Sequence, residues 1–222
     1  MTELVLQPLT DYRQRSEAEM KTRASEFYIE MKHRRSVRDF SDQPVDRGII
    51  EDCLRTAACA PSGANQQPWR FVVVSNTKAK QQIRAAAETV EHSFYNKMAT
   101  AKWRDNLKHL NTDASKPFLE TAPYLICIFS ERHGVSPTRE KITHYYVSES
   151  VGIATGMLIT ALHHVGLCTL TYTPVDMRFL NGILLRPANE KPFMILVVGY
   201  PAADAMVPAL QKKALEDVVE FV

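Results

Sequence analysis

The chain has 222 residues, 45% of them hydrophobic and 23% charged, with a formal net charge of +2. That length suits one domain able to bury a sizeable core. So small a net charge excludes a general affinity for nucleic acid or anionic membranes, and any positive charge must act locally. The first twenty residues lack the apolar centre of a signal peptide, and no run of about eighteen apolar residues occurs. The expectation is a soluble cytoplasmic protein with no nucleic-acid or membrane partner.

The four cysteines, Cys53, Cys59, Cys127 and Cys168, form no CxxC pair, and each lies in an apolar stretch. That pattern predicts free buried thiols rather than disulfides or a zinc site. His163 and His164 are adjacent and cannot share a helix face, so no metal is expected.

In chain order, residues 16–33 read as a charged helix with an apolar stripe through Met20, Ala24, Phe27 and Met31. RRSVRDFSDQPV is polar and irregular. Asp46 can cap the next helix and Val45 can staple onto Ile50, and the breaker cluster Pro61-Ser62-Gly63 follows. WRFVVVS (69–75) has the β-branched run of a strand buried on both faces. TKAKQQIRAAAETV reads as a helix. Residues 91–120, rich in charge, predict a mobile helical excursion, and PYLICIF (123–129) a second buried strand. The pattern from 139 to 165 predicts one long helix whose later part is apolar nearly all round, a feature of burial on all sides and, in a chain this size, of a subunit interface. Gly166 can stop it. CTLTYTP (168–174) and MILVVGY (194–200) complete four strands. The tail, 201–222, lacks a core of its own and ends on apolar residues that must pack on something.

Three clusters can carry chemistry. Arg34, Arg35, Ser36 and Arg38 can grip a phosphate through charge-assisted bonds and a hydroxyl, although a solvated basic turn has the same composition. APSGANQQPW (60–69) has the small residues that let backbone N–H groups approach a planar ligand, or simply form a connecting loop. The run Thr169-Leu170-Thr171-Tyr172-Thr173-Pro174 brings hydroxyls to the carboxyl end of a strand, where threonine is also a good strand former. The glycine fingerprints GxGxxG and GxxxxGK[ST] are absent.

RRSVRDF, followed by APSGANQQPW running into a strand, resembles the flavin-binding signature of the nitroreductase superfamily. A basic residue near the C-terminus, Lys212 or Lys213 in LQKKAL, matches the third element of that signature. The likeness runs from about Glu26 to the end. Within the superfamily the chain is most similar to the iodotyrosine deiodinases. AETVEHSFYNKM and TDASKPFLETAP supply Glu91, Tyr95 and Lys116 where those enzymes carry a Glu, a Tyr four residues later and a more distant Lys.

The resemblance implies an α+β fold of a four-stranded sheet flanked by helices, one domain over 1–222. Residues 90–117 would be an active-site lid and 201–222 a tail exchanged in a homodimer with FMN at the interface. It implies that Arg34, Arg35, Ser36, Arg38 and Lys212 hold phosphate and ribityl. Ser62 and Gly63 would line the flavin with Thr171 and Tyr172, and Thr173 would donate to flavin N5. The Ala64 N–H would bind a phenolate oxygen, and Glu91, Tyr95 and Lys116 would clamp an amino-acid zwitterion. The chemistry agrees: Glu91 and Tyr95 share a helix face, and a zwitterion needs one anion and one cation. The implied activity is FMN-dependent reductive dehalogenation of halotyrosines, with NAD(P)H or a reductase as external electron donor. The alternatives are a general NAD(P)H-dependent nitroreductase or quinone reductase, and a non-catalytic flavin or aromatic amino-acid binding protein. The chain departs from the family pattern at Tyr172, where the mammalian members compared have a smaller residue, and at Lys212, where arginine is usual.

Overall fold

The computed structural model describes residues 5–98, 100, 102–103 and 112–222, with side chains for all of these but 97 and 98. Part of the expected excursion, residues 99, 101 and 104–111, therefore lies outside the described residues. The chain divides into two compact units, residues 1–34 and 35–222.

The first unit carries helix α1 (Glu17–Lys32), capped by the Ser16 hydroxyl, which accepts the Glu19 N–H. It carries the apolar stripe Met20, Ala24, Phe27 and Met31 but buries no residue. Arg34 closes the unit, its N–H donating to the Met31 carbonyl at 3.1 Å.

The second unit is built on a four-stranded antiparallel sheet in the order β1-β2-β6-β5: β1 (Trp69–Val74), β2 (Tyr124–Glu131), β5 (Cys168–Tyr172) and β6 (Glu190–Gly199). The central strands alternate between two cores, as a period of two requires. Leu125, Cys127, Phe129, Ile195 and Val197 face one core, under α3 (Thr77–Ser93), α4 (Phe118–Thr121) and α6 (Phe179–Ile183). Ile126, Ile128, Leu196 and Val198 face the other, under α2 (Arg47–Ala58) and α5 (Val147–His164). Burial of the Cys127 thiol pushes its pKa up to about 12, so it is unreactive.

Local signals fixed most boundaries. Asp46 Oδ1 accepts the Gly48 N–H at 2.7 Å, and Val45 and Ile50 join one core. Gly166 adopts φ +84° directly after α5, which suits a residue without Cβ.

Three expectations need correction. β1 is an edge strand in which only Val74 is fully buried, because its outer neighbour is missing. Residues 139–146 are not helical: β3 (His133–Val135) and β4 (Lys141–Thr143) form a hairpin, and Tyr146, at φ 50°, sets the start of α5. Cys59 is exposed because it falls at the C-terminal cap of α2, beyond its buried face. Within the single chain the α5 helix exposes Gly152, Ile153 and Gly156, the side that the sequence assigns to a subunit contact.

Among the described residues, no helix is long and apolar enough to cross a membrane, and no group of His, Cys, Asp or Glu could hold a metal ion.

Candidate active site

Helix α3 organises the first half of the site. Lys80, Arg84, Glu88 and Glu91 recur every three or four residues and so lie along one side of the helix. The first three grip the segment that carries Lys116, and Glu91 faces it. The buried Lys80 ammonium donates to the carbonyls of Glu120 and Ala122, both at 2.8 Å, closing the C-terminal end of α4. Arg84 pairs with Glu88 at 2.8 Å and with Glu120 at 2.9 Å. The Glu88 carboxylate accepts the Lys116 backbone N–H at 2.7 Å. Glu91 Oε2 then lies 3.8 Å from Lys116 Nζ.

This last pair is enclosed. The Lys116 side chain is 3% exposed and that of Glu91 12%. Lys116 Nζ also donates to the Asp113 carbonyl and sits 5.9 Å from the Tyr95 ring centroid and 6.0 Å from that of Tyr172, within cation–π range. Tyr95, in the π-helical turn Phe94–Met98 that extends α3, donates to the Thr112 carbonyl at 3.3 Å. Burial lowers the Lys116 pKa; Glu91 and Asp113 work against that, and Arg38 adds to it. Arg38 is therefore an electrostatic neighbour of Lys116. Of the expected substrate residues, Glu91, Tyr95 and Lys116 come together, and Tyr172 joins them.

Tyr172 does not act with its neighbours. Its hydroxyl donates to Glu91 Oε1 at 2.9 Å, and its ring meets Phe118 edge-on at 5.6 Å. Burial first, then the adjacent Glu91 carboxylate, pushes this phenol well up from its ordinary pKa. Alternation along β5 turns Thr171 to the opposite side, and both Thr171 and Thr173 are exposed. The hydroxyl triplet is thus split between the two faces of an edge strand.

The basic cluster meets that strand. Ser36 forms a parallel bridge with Thr169, and the Val37 N–H donates to the Thr169 carbonyl at 3.2 Å, while buried Val37 anchors the segment. Arg35 donates to the Pro208 carbonyl, tying the tail to the same edge. From Thr169 to Thr173 the strand rises about 13 Å, at about 3.3 Å per residue. The edge therefore offers cations at one end and, toward the other, hydroxyls that have no partner among the described residues. That donor set fits FMN, an elongated ligand with an anionic phosphate at one end and a polar ring system at the other. Lys212 and Lys213 are exposed on the tail.

The APSGANQQPW loop is held in strain. Ala64, Asn65 and Gln67 have φ of 48°, 53° and 48°, a left-handed region that costs non-glycine residues about 1–2 kcal/mol each. Several contacts hold it. Ser62 Oγ accepts the Gln67 N–H at 2.9 Å. The Gln66 amide donates to the Thr143 carbonyl and accepts from the Tyr145 N–H, both at 2.7 Å. Gly63 packs so closely that a Cβ there would stand 2.7 Å from the Tyr145 carbonyl oxygen. Its small size is needed for this internal contact, whatever it also allows toward a planar ligand. Among the described residues the Ala64 N–H has no acceptor, so it remains a free donor on an exposed, over-determined turn.

A cavity of about 840 Å³ opens beside Pro174, between Ser130, Ser148, Lys191 and Phe193, and contains none of the expected site residues. Reading the sequence missed Lys80, Arg84, Glu88 and Gln66. The three- and four-residue spacing on α3 was the available signal for the first three, but their partners lie across the fold.

The nitroreductase family model matches residues 31–200. An iodotyrosine deiodinase of Haliscomenobacter hydrossis is 50% identical over 195 residues, covering 88% of each chain. Iodotyrosine deiodinase 1 of Homo sapiens is 44% identical over 204 residues, 91% of this chain and 71% of that protein. A crystal structure of oxidized iodotyrosine deiodinase bound to FMN and 3-iodo-L-tyrosine superposes with a TM-score of 0.76 at 33% identity, covering 88% of this chain and 100% of that one.

Proposed function

Because the chain belongs to the nitroreductase family and, within it, to the iodotyrosine deiodinases, we propose that it removes halide reductively from halogenated tyrosines, with FMN as cofactor. The observation that carries this reading is the enclosed cluster of Glu91, Tyr95 and Lys116: an anion, an aromatic hydroxyl and a cation drawn from separate segments. A zwitterion needs that set, and a simple nitroaromatic or quinone does not.

When bound, FMN supplies the electrons for the reduction. Arg35, Ser36 and Arg38, with Arg34 and Lys212, hold its phosphate and ribityl chain. Thr171 lies along the same strand edge, and the exposed Thr173 hydroxyl donates toward N5. Ser62 and Gly63 shape the loop that presents the Ala64 N–H to the substrate's phenolate oxygen. A halogen ortho to the hydroxyl lowers the phenol's pKa, so that oxygen carries charge near neutral pH. Glu91 takes the substrate ammonium, Lys116 its carboxylate, and Tyr95 walls the side chain. Binding energy from this remote end orients the carbon–halogen bond. In this reading residues 90–117 close over the substrate, and 201–222 exchange between the subunits of a homodimer. An external donor, NAD(P)H or a reductase, returns the electrons.

A fluorescence titration tests it. Glu91→Gln and Lys116→Gln each remove a charged hydrogen-bonding group, a loss of about 1.5–3 kcal/mol. Iodotyrosine affinity should fall roughly ten- to a hundredfold with FMN content unchanged. Iodophenol, lacking the amino-acid group, should bind weakly and alike to all three proteins. If both variants bind iodotyrosine as the parent does, the general NAD(P)H-dependent nitroreductase becomes the better account. Tight iodotyrosine binding without halide release under reduction would indicate a binding protein.

A further inference from the structure

We propose that Tyr172 is a positioning residue of the substrate clamp: its hydroxyl holds Glu91 by one oxygen so that the other faces the substrate ammonium. Tyr172 thereby sharpens the preference for amino-acid over plain phenolic substrates. This inference rests on the halotyrosine reading above.

The argument begins with the two oxygens of one carboxylate. Glu91 Oε1 accepts the Tyr172 hydroxyl at 2.9 Å, while Oε2 stands 3.8 Å from Lys116 Nζ, beyond hydrogen-bond length. The anion and cation are therefore neighbours that do not close on each other. Glu91 sits in the last turn of α3 on a side chain with several rotatable bonds. With nothing on Oε1, opposite charge in an enclosed, low-dielectric setting would draw it onto Lys116. A clamp neutralised in that way has to be opened before a zwitterion can enter.

Tyr172 is suited to prevent this. It stands on β5, hydrogen-bonded in the sheet opposite Ile195, and its buried ring is fixed edge-on against Phe118. A donor on a strand holds its position better than one on a loop. The raised pKa keeps the phenol protonated, so the donor persists through neutral and alkaline solution. The Lys116 ammonium lies near the Tyr172 ring rather than its hydroxyl, leaving that hydroxyl to Glu91. Tyr172 thus acts through Glu91, on the amino-acid end of the substrate and away from the phenol ring that reacts.

The test compares Tyr172→Phe with Glu91→Gln and the parent in the FMN-loaded enzyme, using iodotyrosine and iodophenol. Tyr172→Phe keeps the ring and its packing, and FMN content reports that the protein is folded. Iodotyrosine Kd and KM should rise about tenfold in Tyr172→Phe, with iodophenol binding and FMN content unchanged. An equal loss for both ligands would make Tyr172 merely structural and overturn the proposal. So would parent-like iodotyrosine binding in Tyr172→Phe when Glu91→Gln still weakens it. If Glu91→Gln also binds iodotyrosine as the parent does, the clamp reading has failed, and the role of Tyr172 with it.

Discussion

The Glu88 carboxylate accepts the backbone N–H of Lys116 at 2.7 Å, although 28 residues separate them in sequence. The bond sets the height of Lys116 along α3, independently of where its ammonium points. Burial alone would raise the Glu88 pKa, but the Lys116 N–H and the Arg84 guanidinium outweigh it and hold it below the ordinary value. A carboxyl depressed in the folded state stabilises the protein above its unfolded pKa, and that contribution is lost as pH falls through the folded pKa. Glu88→Gln should therefore flatten the acid limb of a stability–pH profile below the ordinary glutamate range. It should also raise iodotyrosine KM about three- to tenfold, equivalent to roughly 0.7–1.4 kcal/mol, with FMN content unchanged. Parallel acid limbs for parent and variant would count against this coupling.

Holding the cofactor and using it should separate by mutation. Arg35→Ala removes a charge-assisted contact of about 1.5–3 kcal/mol to a phosphate, so FMN affinity should fall by one to two decades in a flavin-release assay. Thr173→Ala should retain FMN but slow dehalogenation, while reduction of nitroaromatics is kept. Unchanged FMN affinity in Arg35→Ala would remove that residue from the phosphate site, and equal loss of both activities in Thr173→Ala would make that threonine structural.

The exposed side of α5 should be the contact between subunits. Ile153 is 46% exposed, and a Cβ added at Gly152 or Gly156 would meet nothing within 4 Å in the chain. On a solvent-facing helix, Gly156→Ala would stabilise by about 1 kcal/mol; against a close-packed partner it should destabilise. Ile153→Asp should shift sedimentation from dimer toward monomer and lower FMN content with it. A dimer undisturbed by Ile153→Asp, with Gly156→Ala more thermostable, would place the interface elsewhere.

Much of this was legible in the sequence because it rests on local rules. The Asp46 cap, the Gly166 stop and the two buried central strands follow from residue chemistry and period. Glu91, Tyr95 and Lys116 were singled out by the family resemblance, with the four-residue spacing of the first two in agreement, and the fold brings them together. What could not be read depends on contacts between distant segments. Nothing in WRFVVV reveals that β1 lies at an edge, because β-branched residues suit either place. Nothing in TLTYTP reveals that Tyr172 turns toward Glu91 while Thr171 turns away, until the sheet's two faces are known. The close approach at Gly63 was legible in the composition, but its contact with the Tyr145 carbonyl, on a distant segment, was not.

The row of side chains along α3 also decides which changes in chain length the protein can tolerate. Glu91 and Tyr95 stand at the start of the excursion and Lys116 at its end, and Glu88 holds that end to the same helix. The two feet are thus fixed to a common rail. A substitution that keeps the residue count of α3 leaves both feet on that rail. A single residue inserted between Arg84 and Glu88 would instead rotate everything beyond it by about 100° around the helix and carry Glu91 away from Lys116. Relatives that keep this pair of charges should therefore keep the residue count of α3 between Arg84 and Glu91.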